Sequence, residues 1–272
     1  MACSKTTETV RAPWSSRGWI AYYRTNGKNL MALPWKRGAE LTPEEREAIA
    51  ASLQDFQLGE SSEGKHLLER ARAYSENHDP DYLEAMQLFI REEQRHARDL
   101  GTFLRLAEIP LLERTRLDSI FRWLRRLAGL ELSITVLVTA ETIGKVYYQA
   151  IRRATGSILL RRLCEQLLRD EAKHTRFHAE RLAMLRKDRA GWRVWLARAG
   201  HRLLFAGASL AVWLKHRRAL RAGGLGFVSF LQACRKERKV IFRQMDPAKY
   251  RLVKEGRPST VRGINKDLQA CC

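Results

Sequence analysis

Two Glu-x-x-His pairs carry the residue types best suited to metal chemistry in this chain: Glu93-Gln-Arg-His96 and Glu171-Ala-Lys-His174. Residues three apart share one face of a helix, so each pair aims a carboxylate and an imidazole at one point. Together with one glutamate from each of two further helices, such pairs enclose a site for two divalent metal ions inside a helix bundle. The spacing therefore predicts a dimetal centre.

The helices needed to position these pairs are predicted by capping signals and helix breakers. The first begins at Thr42, with Pro43 in its first turn and Glu45 three residues after the cap. No segment is typical of a pair of strands, so the predicted fold class is all-α. The predicted long helices cover residues 43–75, 79–108, 118–154 and 157–187.

The two predicted helix hairpins place acidic residues at matching depths. With turns near residues 78 and 155, Glu60 and Glu141 precede their turns by about as many residues as the Glu-x-x-His pairs follow them. At 1.5 Å per residue, both sets lie roughly 22–27 Å from their turns. We therefore predict six metal ligands that are also the catalytic residues: Glu60, Glu93, His96, Glu141, Glu171 and His174.

Apolar neighbours favour this hypothesis over the alternative of solvated surface charges. The helical face of Glu141 carries Ile134, Leu137, Val138 and Tyr148, and that of His96 carries Phe89, Leu100 and Phe103. Ionised groups on apolar faces are costly unless they are paired or bound to metal. Four carboxylates and two divalent cations sum to zero charge, which removes that cost.

Three further residues leave the ligand set open. Glu63-Gly-Lys-His66 is a third Glu-x-x-His, so Glu63 could replace or join Glu60, whereas His66 is expected beside the site or on the surface. His178 follows His174 by one turn and could extend the set; the alternative is a buried, hydrogen-bonded histidine. Glycines at 59, 64 and 144 each cost about 1 kcal/mol inside a helix, which is tolerable where helices approach closely or where substrate needs room.

The motifs resemble those of the ferritin-like di-iron carboxylate superfamily over about residues 43–187. Leu58-Gly59-Glu60-Ser61 and Glu93-Gln-Arg-His96-Ala97 are similar to the ligand helices of rubrerythrin-like proteins. Asp170-Glu171-x-x-His174 resembles the Asp-Glu-x-x-His of di-iron oxygenases and ribonucleotide reductase subunits. The expected fold is a ferritin-like four-helix bundle over residues 42–188, preceded by an extended aromatic and basic arm (1–41) and followed by a basic helical extension (189–272).

The resemblance implies the role of each ligand. Glu93 and Glu171 would bridge two iron ions, with manganese as the other candidate metal. Glu60 and Glu141 would be terminal ligands, and His96 and His174 would each bind one metal. Asp170 would accept a hydrogen bond that orients an imidazole across the bundle. The implied enzyme is a non-haem di-iron oxidoreductase of the oxygenase or oxidase type, which uses O₂ or peroxide on a small, apolar substrate and takes electrons from a separate donor.

The charge distribution and the cysteine content indicate where in the cell, and with which partners, this chemistry would take place. The five cysteines show no Cys-x-x-Cys spacing, which argues against a thiolate zinc or rubredoxin-type site and fits a reducing, cytoplasmic location. Residues 181–272 carry 22 Lys/Arg against 5 Asp/Glu, whereas residues 1–180 carry 28 against 25. The basic part is expected to bind an anionic partner: an acidic protein, a membrane surface or nucleic acid. Its uncharged run 203–214 suits a buried helix, a contact within a homo-oligomer, or a helix peripheral to a membrane.

Three other functions remain open at this point. The first is iron or peroxide handling, as in a ferroxidase or a rubrerythrin-like peroxidase, which needs no organic substrate. The second is a tRNA-modifying hydroxylase, which the positive charge favours. The third is a module associated with membrane or nucleic acid whose metal site is structural only.

Overall fold

The computed structural model of the protein describes residues 13–61, 64–113 and 129–249. Over these ranges the chain is all-helical and has no strand, which confirms the predicted fold class. Two short 3₁₀ turns, Trp35–Arg37 and Pro247–Lys249, join or follow the helices. The α-helices are α1 (Ser16–Asn26), α2 (Pro43–Glu60), α3 (Lys65–Asn77), α4 (Tyr82–Leu106), α5 (Leu130–Arg153), α6 (Ile158–Arg186), α7 (Gly191–Ala222) and α8 (Phe227–Gln244).

Helices α2, α4, α5 and α6 form a bundle around an apolar core. α2 packs on α4, α5 packs along α6, and α4 meets α6. Each helix contributes side chains that are inaccessible to solvent, among them Leu53, Phe103, Tyr147 and Leu163. The capping box predicted at Thr42 is present. The Thr42 hydroxyl accepts a hydrogen bond from the backbone N–H of Glu45, and the Glu45 carboxylate accepts one from the backbone N–H of Thr42.

The predicted single helix 43–75 is wrong, because the chain breaks it into α2 and α3. Gly64 begins α3 with a φ of 65°, in the left-handed region that glycine adopts without strain. A Cβ at this position would lie 2.6 Å from Cδ1 of Ile90. The glycine thus allows both the turn and the close approach of α4, and it reorients the chain just after Glu60. The alternative ligand Glu63 lies outside the described residues.

The predicted extended arm is also wrong where the structure describes it. Residues 16–26 form α1. Its N-cap is Ser15, and the Ser15 hydroxyl accepts a hydrogen bond from the backbone N–H of Gly18. Trp19, Tyr22 and Tyr23 are spaced three and four apart, which puts them on one helical face, and all three are buried. α1 packs against α4, so this segment is part of the core around the bundle.

The basic part of the chain packs on the bundle through α7 and α8. α7 lies against α2 and α5, and α8 lies against α5, α6 and α7. Phe205, Trp213 and Phe230 join the same apolar core as α5. The predicted start of the third helix near residue 118 falls outside the described residues, which resume before α5. None of the helices that the structure describes is long and apolar enough to cross a bilayer.

Candidate metal centre

The two Glu-x-x-His pairs meet at one level in the interior of the bundle. Glu93 and His96 project from α4, and Glu171 and His174 project from α6. One ligand atom from each of the four lies within 4.8 Å of the others. Both imidazoles are fully buried and Glu171 is nearly so. A buried group of two glutamates and two histidines is therefore positioned to hold metal ions.

The two glutamates lie between the two imidazoles. Oε1 of Glu93 is 2.9 Å from Nδ1 of His174 and 3.6 Å from Nδ1 of His96. Oxygens of Glu171 lie 3.7 Å from Nδ1 of His96 and 3.9 Å from Nδ1 of His174. Each carboxylate thus reaches towards both rings, which is the arrangement needed for a ligand shared by two metals.

The remaining two predicted ligands flank this group on opposite sides. Glu60, the last residue of α2, places Oε2 4.0 Å from Nδ1 of His96, and its Oε1 accepts a 2.6 Å hydrogen bond from the Tyr148 hydroxyl. Glu141 projects from the middle of α5 and places Oε1 3.1 Å from Nε2 of His178. Both carboxylates line the same cavity as Glu93 and Glu171.

Unpartnered polar atoms collect at this group of four and on Glu141 beside it. They have almost no solvent access and no hydrogen-bond partner, although several lie close to one another. A buried polar atom left unsatisfied costs about 1–3 kcal/mol, so such a collection needs a reason. Divalent cations would satisfy all of these atoms at once, and the donor set therefore fits metal. The atoms are Oε1 of Glu93, Nδ1 of His96, both oxygens of Glu141, Oε2 of Glu171 and Nδ1 of His174.

The opposite nitrogen of each imidazole is held by a carboxylate from the facing helix. Nε2 of His96 lies 3.1 Å from Oδ2 of Asp170, which is the contact expected of an aspartate that orients an imidazole. Nε2 of His174 lies 2.9 Å from Oε2 of Glu92, a partner that the sequence analysis missed. Carboxylates at these positions make each Nε2 a donor and leave each Nδ1 free to bind metal.

Helix α1 ties the two orienting carboxylates together. The Asn26 side-chain amide donates to Oε1 of Glu92 at 2.7 Å and to Oδ1 of Asp170 at 2.9 Å. Arg95 adds an ion pair to Asp170 at 2.7 Å. A residue from the segment expected to be an extended arm therefore fixes the surroundings of both histidines.

The members of this cluster shift one another's pKa values in opposite directions. Burial raises the pKa of Glu171 to about 7, and burial together with the nearby charge of Glu93 raises the pKa of Glu60 well above its usual value. Burial opposes the charged forms of His174 and Glu93, but the close approach of their opposite charges outweighs it. The pKa of His174 is consequently raised well above its usual value and that of Glu93 is lowered to about 2.

The three residues left open by the sequence differ in their positions. His66 is exposed and pairs with Glu69 at 3.2 Å, so of the two expected positions, beside the site or on the surface, the structure shows the second. His178 is fully buried, and its Nε2 lies 3.1 Å from Oε1 of Glu141. The sequence left two alternatives for His178, a further ligand and a buried, hydrogen-bonded histidine, and this position beside Glu141 is compatible with both. Glu63 is outside the described residues.

A cavity of about 170 Å³ opens beside the cluster. Four glutamates (60, 93, 141 and 171) form one part of its wall, and the remainder is mainly apolar, including Phe56, Phe89, Val136 and Ile143. Gly144 is buried and lines the cavity, and a Cβ added there would meet only a ring carbon of Tyr148, at 3.9 Å. α7 contributes Val212, Lys215 and His216 to the wall.

No protein-family model, curated protein or solved structure matches this chain. What the structure establishes is a helical protein with a buried Glu/His cluster that could bind metal. The resemblance to ferritin-like proteins consequently depends on the motifs and on the geometry of this cluster.

Proposed function

We propose that the protein is a ferritin-like, non-haem di-iron oxidoreductase that uses O₂ or peroxide to oxidise a small, apolar substrate. The observation that carries this proposal is the set of buried, unpartnered ligand atoms at the meeting point of two Glu-x-x-His helices, with the outer nitrogen of each imidazole fixed by a carboxylate. Carboxylate and imidazole ligands suit iron, and manganese accepts the same set.

The distances support an arrangement of the ligands around two metal positions. Glu60 and His96 would hold one ion, since Oε2 of Glu60 lies 4.0 Å from Nδ1 of His96. Glu141 would hold the other with His174, and His178, whose Nε2 lies 3.1 Å from Oε1 of Glu141, would be an additional ligand. The central carboxylates of Glu93 and Glu171 would be shared.

An iron pair at this position would supply the two electrons that reduce one molecule of O₂ or peroxide. For an oxygenase, the overall reaction combines O₂, one substrate C–H bond, two electrons and two protons, and yields an alcohol and water. The chain itself keeps bulk water away from the site by burying it, and the Tyr148 hydroxyl holds Glu60 in place. The two electrons for each turnover must come from a separate donor.

The cavity supports an apolar substrate of limited size. A protein cavity of about 150 Å³ lined by aliphatic and aromatic side chains binds benzene. The cavity here is of similar volume, at about 170 Å³, and its wall is mainly apolar apart from the four glutamates, Asp55, Lys215 and His216. A neutral molecule about as large as a substituted benzene ring would fit, with one end against the carboxylates.

Metal analysis of the purified full-length chain tests the site. We expect about two ions per chain after anaerobic loading with ferrous iron, and an oxygen-dependent change in the optical spectrum. The double variant Glu93→Ala/His174→Ala should lose both, whereas the matched control His66→Ala should keep both. His178→Ala should weaken the binding of only one of the two ions, with an affinity roughly 10–100-fold lower. Full metal binding by the double variant would refute the assignment.

Single-turnover experiments separate the oxidase or oxygenase from its closest rival. The diferrous protein should consume O₂ and oxidise an apolar probe such as toluene, with one probe molecule oxidised per iron pair. If toluene and related compounds were never oxidised while ferrous iron or peroxide was consumed repeatedly, the protein would be an iron- or peroxide-handling enzyme. If the metal stayed bound but never changed its oxidation state, we would conclude that the site is structural.

A further inference from the structure

Helix α7 has two apolar faces, and only one of them packs on the part of the protein that the structure describes. Phe205, Val212 and Trp213 are buried against the bundle. The opposite face exposes large apolar side chains, from Leu210 at 46% of its surface to Leu203 at 76%. We call this face the outer stripe; it consists of Trp192, Trp195, Leu196, Leu203, Leu210 and Leu214.

The outer stripe is continuous and not a scatter of single residues. Counted from Trp192, the other members lie 3, 4, 11, 18 and 22 residues further along, and a helix of 3.6 residues per turn places all of these positions on a single face. From Trp192 to Leu214 the stripe runs for about 33 Å at 1.5 Å per residue. Isolated exposed apolar residues are normal on protein surfaces, whereas an extended apolar patch marks a surface that binds something.

Cations accompany the outer stripe along its whole length. α7 contains seven Lys or Arg residues and no Asp or Glu. Arg193 and Arg202 are exposed and lie about a quarter-turn to either side of the stripe. Arg217 and Arg221, also exposed, continue the same face beyond Leu214. An occupant of this surface must therefore offer both apolar contact and negative charge.

The charge pattern decides between possible occupants. A second copy of the chain would place two cationic helices face to face, and α7 has no acidic residue to offset their repulsion. Nucleic acid would satisfy the arginines but would leave the leucines and tryptophans without apolar partners. An anionic bilayer satisfies both, because its head groups bind Arg while acyl chains cover the apolar face, and Trp favours the boundary between the two.

We propose that the outer stripe of α7 docks the protein on the surface of an anionic lipid bilayer, with the helix lying in the plane of the interface. This proposal does not depend on the metal centre. Association should scale with the apolar area that enters the lipid and with the fraction of anionic lipid, and it should weaken as salt screens the arginines.

Co-sedimentation of the full-length, metal-loaded protein with lipid vesicles tests the proposal. We expect binding to vesicles of phosphatidylcholine mixed with phosphatidylglycerol, weaker binding in high salt, and little binding to phosphatidylcholine alone. Trp195→Ala/Leu203→Ala should lower the partition coefficient about tenfold or more, because each change removes several buried CH₂ equivalents. The matched control Leu106→Ala, at a site 43% exposed on α4, should bind as the wild type does.

The competing occupants give different results. Equal binding of the wild type and the double variant to mixed vesicles, or no binding by the wild type, would overturn the proposal. So would a stable dimer in solution that the double variant converts to monomer, since the stripe would then join two copies. Trp192→Ala/Leu210→Ala provides a second, independent pair, and an unchanged metal content in each variant shows that the fold is intact.

Discussion

Gly144→Ala should stabilise the protein and at the same time reduce its capacity for apolar ligands. Gly144 lies within α5, where glycine costs about 1 kcal/mol relative to alanine because it gives up more backbone entropy on folding. An added Cβ would meet only Tyr148, at an ordinary contact distance of 3.9 Å. The free energy of unfolding should therefore rise by about 1 kcal/mol, equivalent to about 2–4 °C in Tm for a chain of this size.

The same methyl group projects into the cavity beside the carboxylates. In a fitted apolar pocket one methylene changes binding by about 1–3 kcal/mol, so the affinity for a ligand that fills the cavity should fall about tenfold or more. Benzene is a suitable probe, because cavities of about this volume bind it. Calorimetric titration with benzene and thermal unfolding, on the same preparations, measure the two effects separately.

Gly207→Ala is the matched control for this experiment. Gly207 also lies inside a helix with nothing near its Cβ position, but it is exposed on α7 and does not line the cavity. It should give a similar gain in stability and leave benzene affinity unchanged. A loss of stability in Gly144→Ala would mean that the helices need the glycine for close packing. Unchanged benzene affinity would mean that the cavity is not a ligand site.

Three further results are expected. Glu92→Gln should weaken metal binding about 10–100-fold in a ferrous-iron titration, because the amide orients the imidazole less strongly than the carboxylate; equal affinity would exclude the orienting role. Loading both metals at pH 7 should release protons from the cluster, measurable by calorimetry in buffers of different ionisation enthalpy, and the affinity should rise with pH. Burial lowers the pKa of His201 to about 3 and that of His216 to about 4, so each should cost about 1.4 kcal/mol of stability per pH unit as the pH falls below about 6.5. Urea unfolding of His201→Gln/His216→Asn, which keeps both hydrogen-bonding positions, should show a flatter loss of stability between about pH 6 and pH 4.

The sequence predicted the ligand helices well because their constraints are local. A Glu-x-x-His spacing defines a helical face whatever the rest of the fold does, and the hairpin depths follow from counting residues. Glu92 was missed although the signal was present, since both helices carry an acid directly before the motif: Glu92-Glu93 and Asp170-Glu171. Only Asp170 matches the Asp-Glu-x-x-His pattern of the di-iron oxygenases, so the resemblance does not point to its counterpart Glu92.

The errors arose where tertiary contacts decide the local structure. Nothing near Gly64 in the sequence shows that Ile90 will leave no room for a Cβ, so the break between α2 and α3 could not be foreseen. α1 is short, so its aromatic residues show no clear helical period in the sequence. Their common face becomes evident only in the fold, where α4 packs against it. A buried helix was the preferred prediction for the run 203–214. Its apolar residues are in fact divided between the core and the outer stripe.

The metal-free cluster explains how so many ionisable groups can be buried together before any cation arrives. Burial raises the pKa values of Glu60 and Glu171, which favours their neutral forms, whereas the facing carboxylates outweigh burial and raise the pKa values of the two imidazoles, which favours their cationic forms beside Glu93. Both shifts lower the cost of burying several carboxylates together before two divalent ions supply positive charge. Metal must displace the protons of these groups to bind. Asp170 is different, because the pKa lowered by its bond to His96 keeps it ionised in either state, so the imidazole stays oriented while the centre exchanges protons for metal.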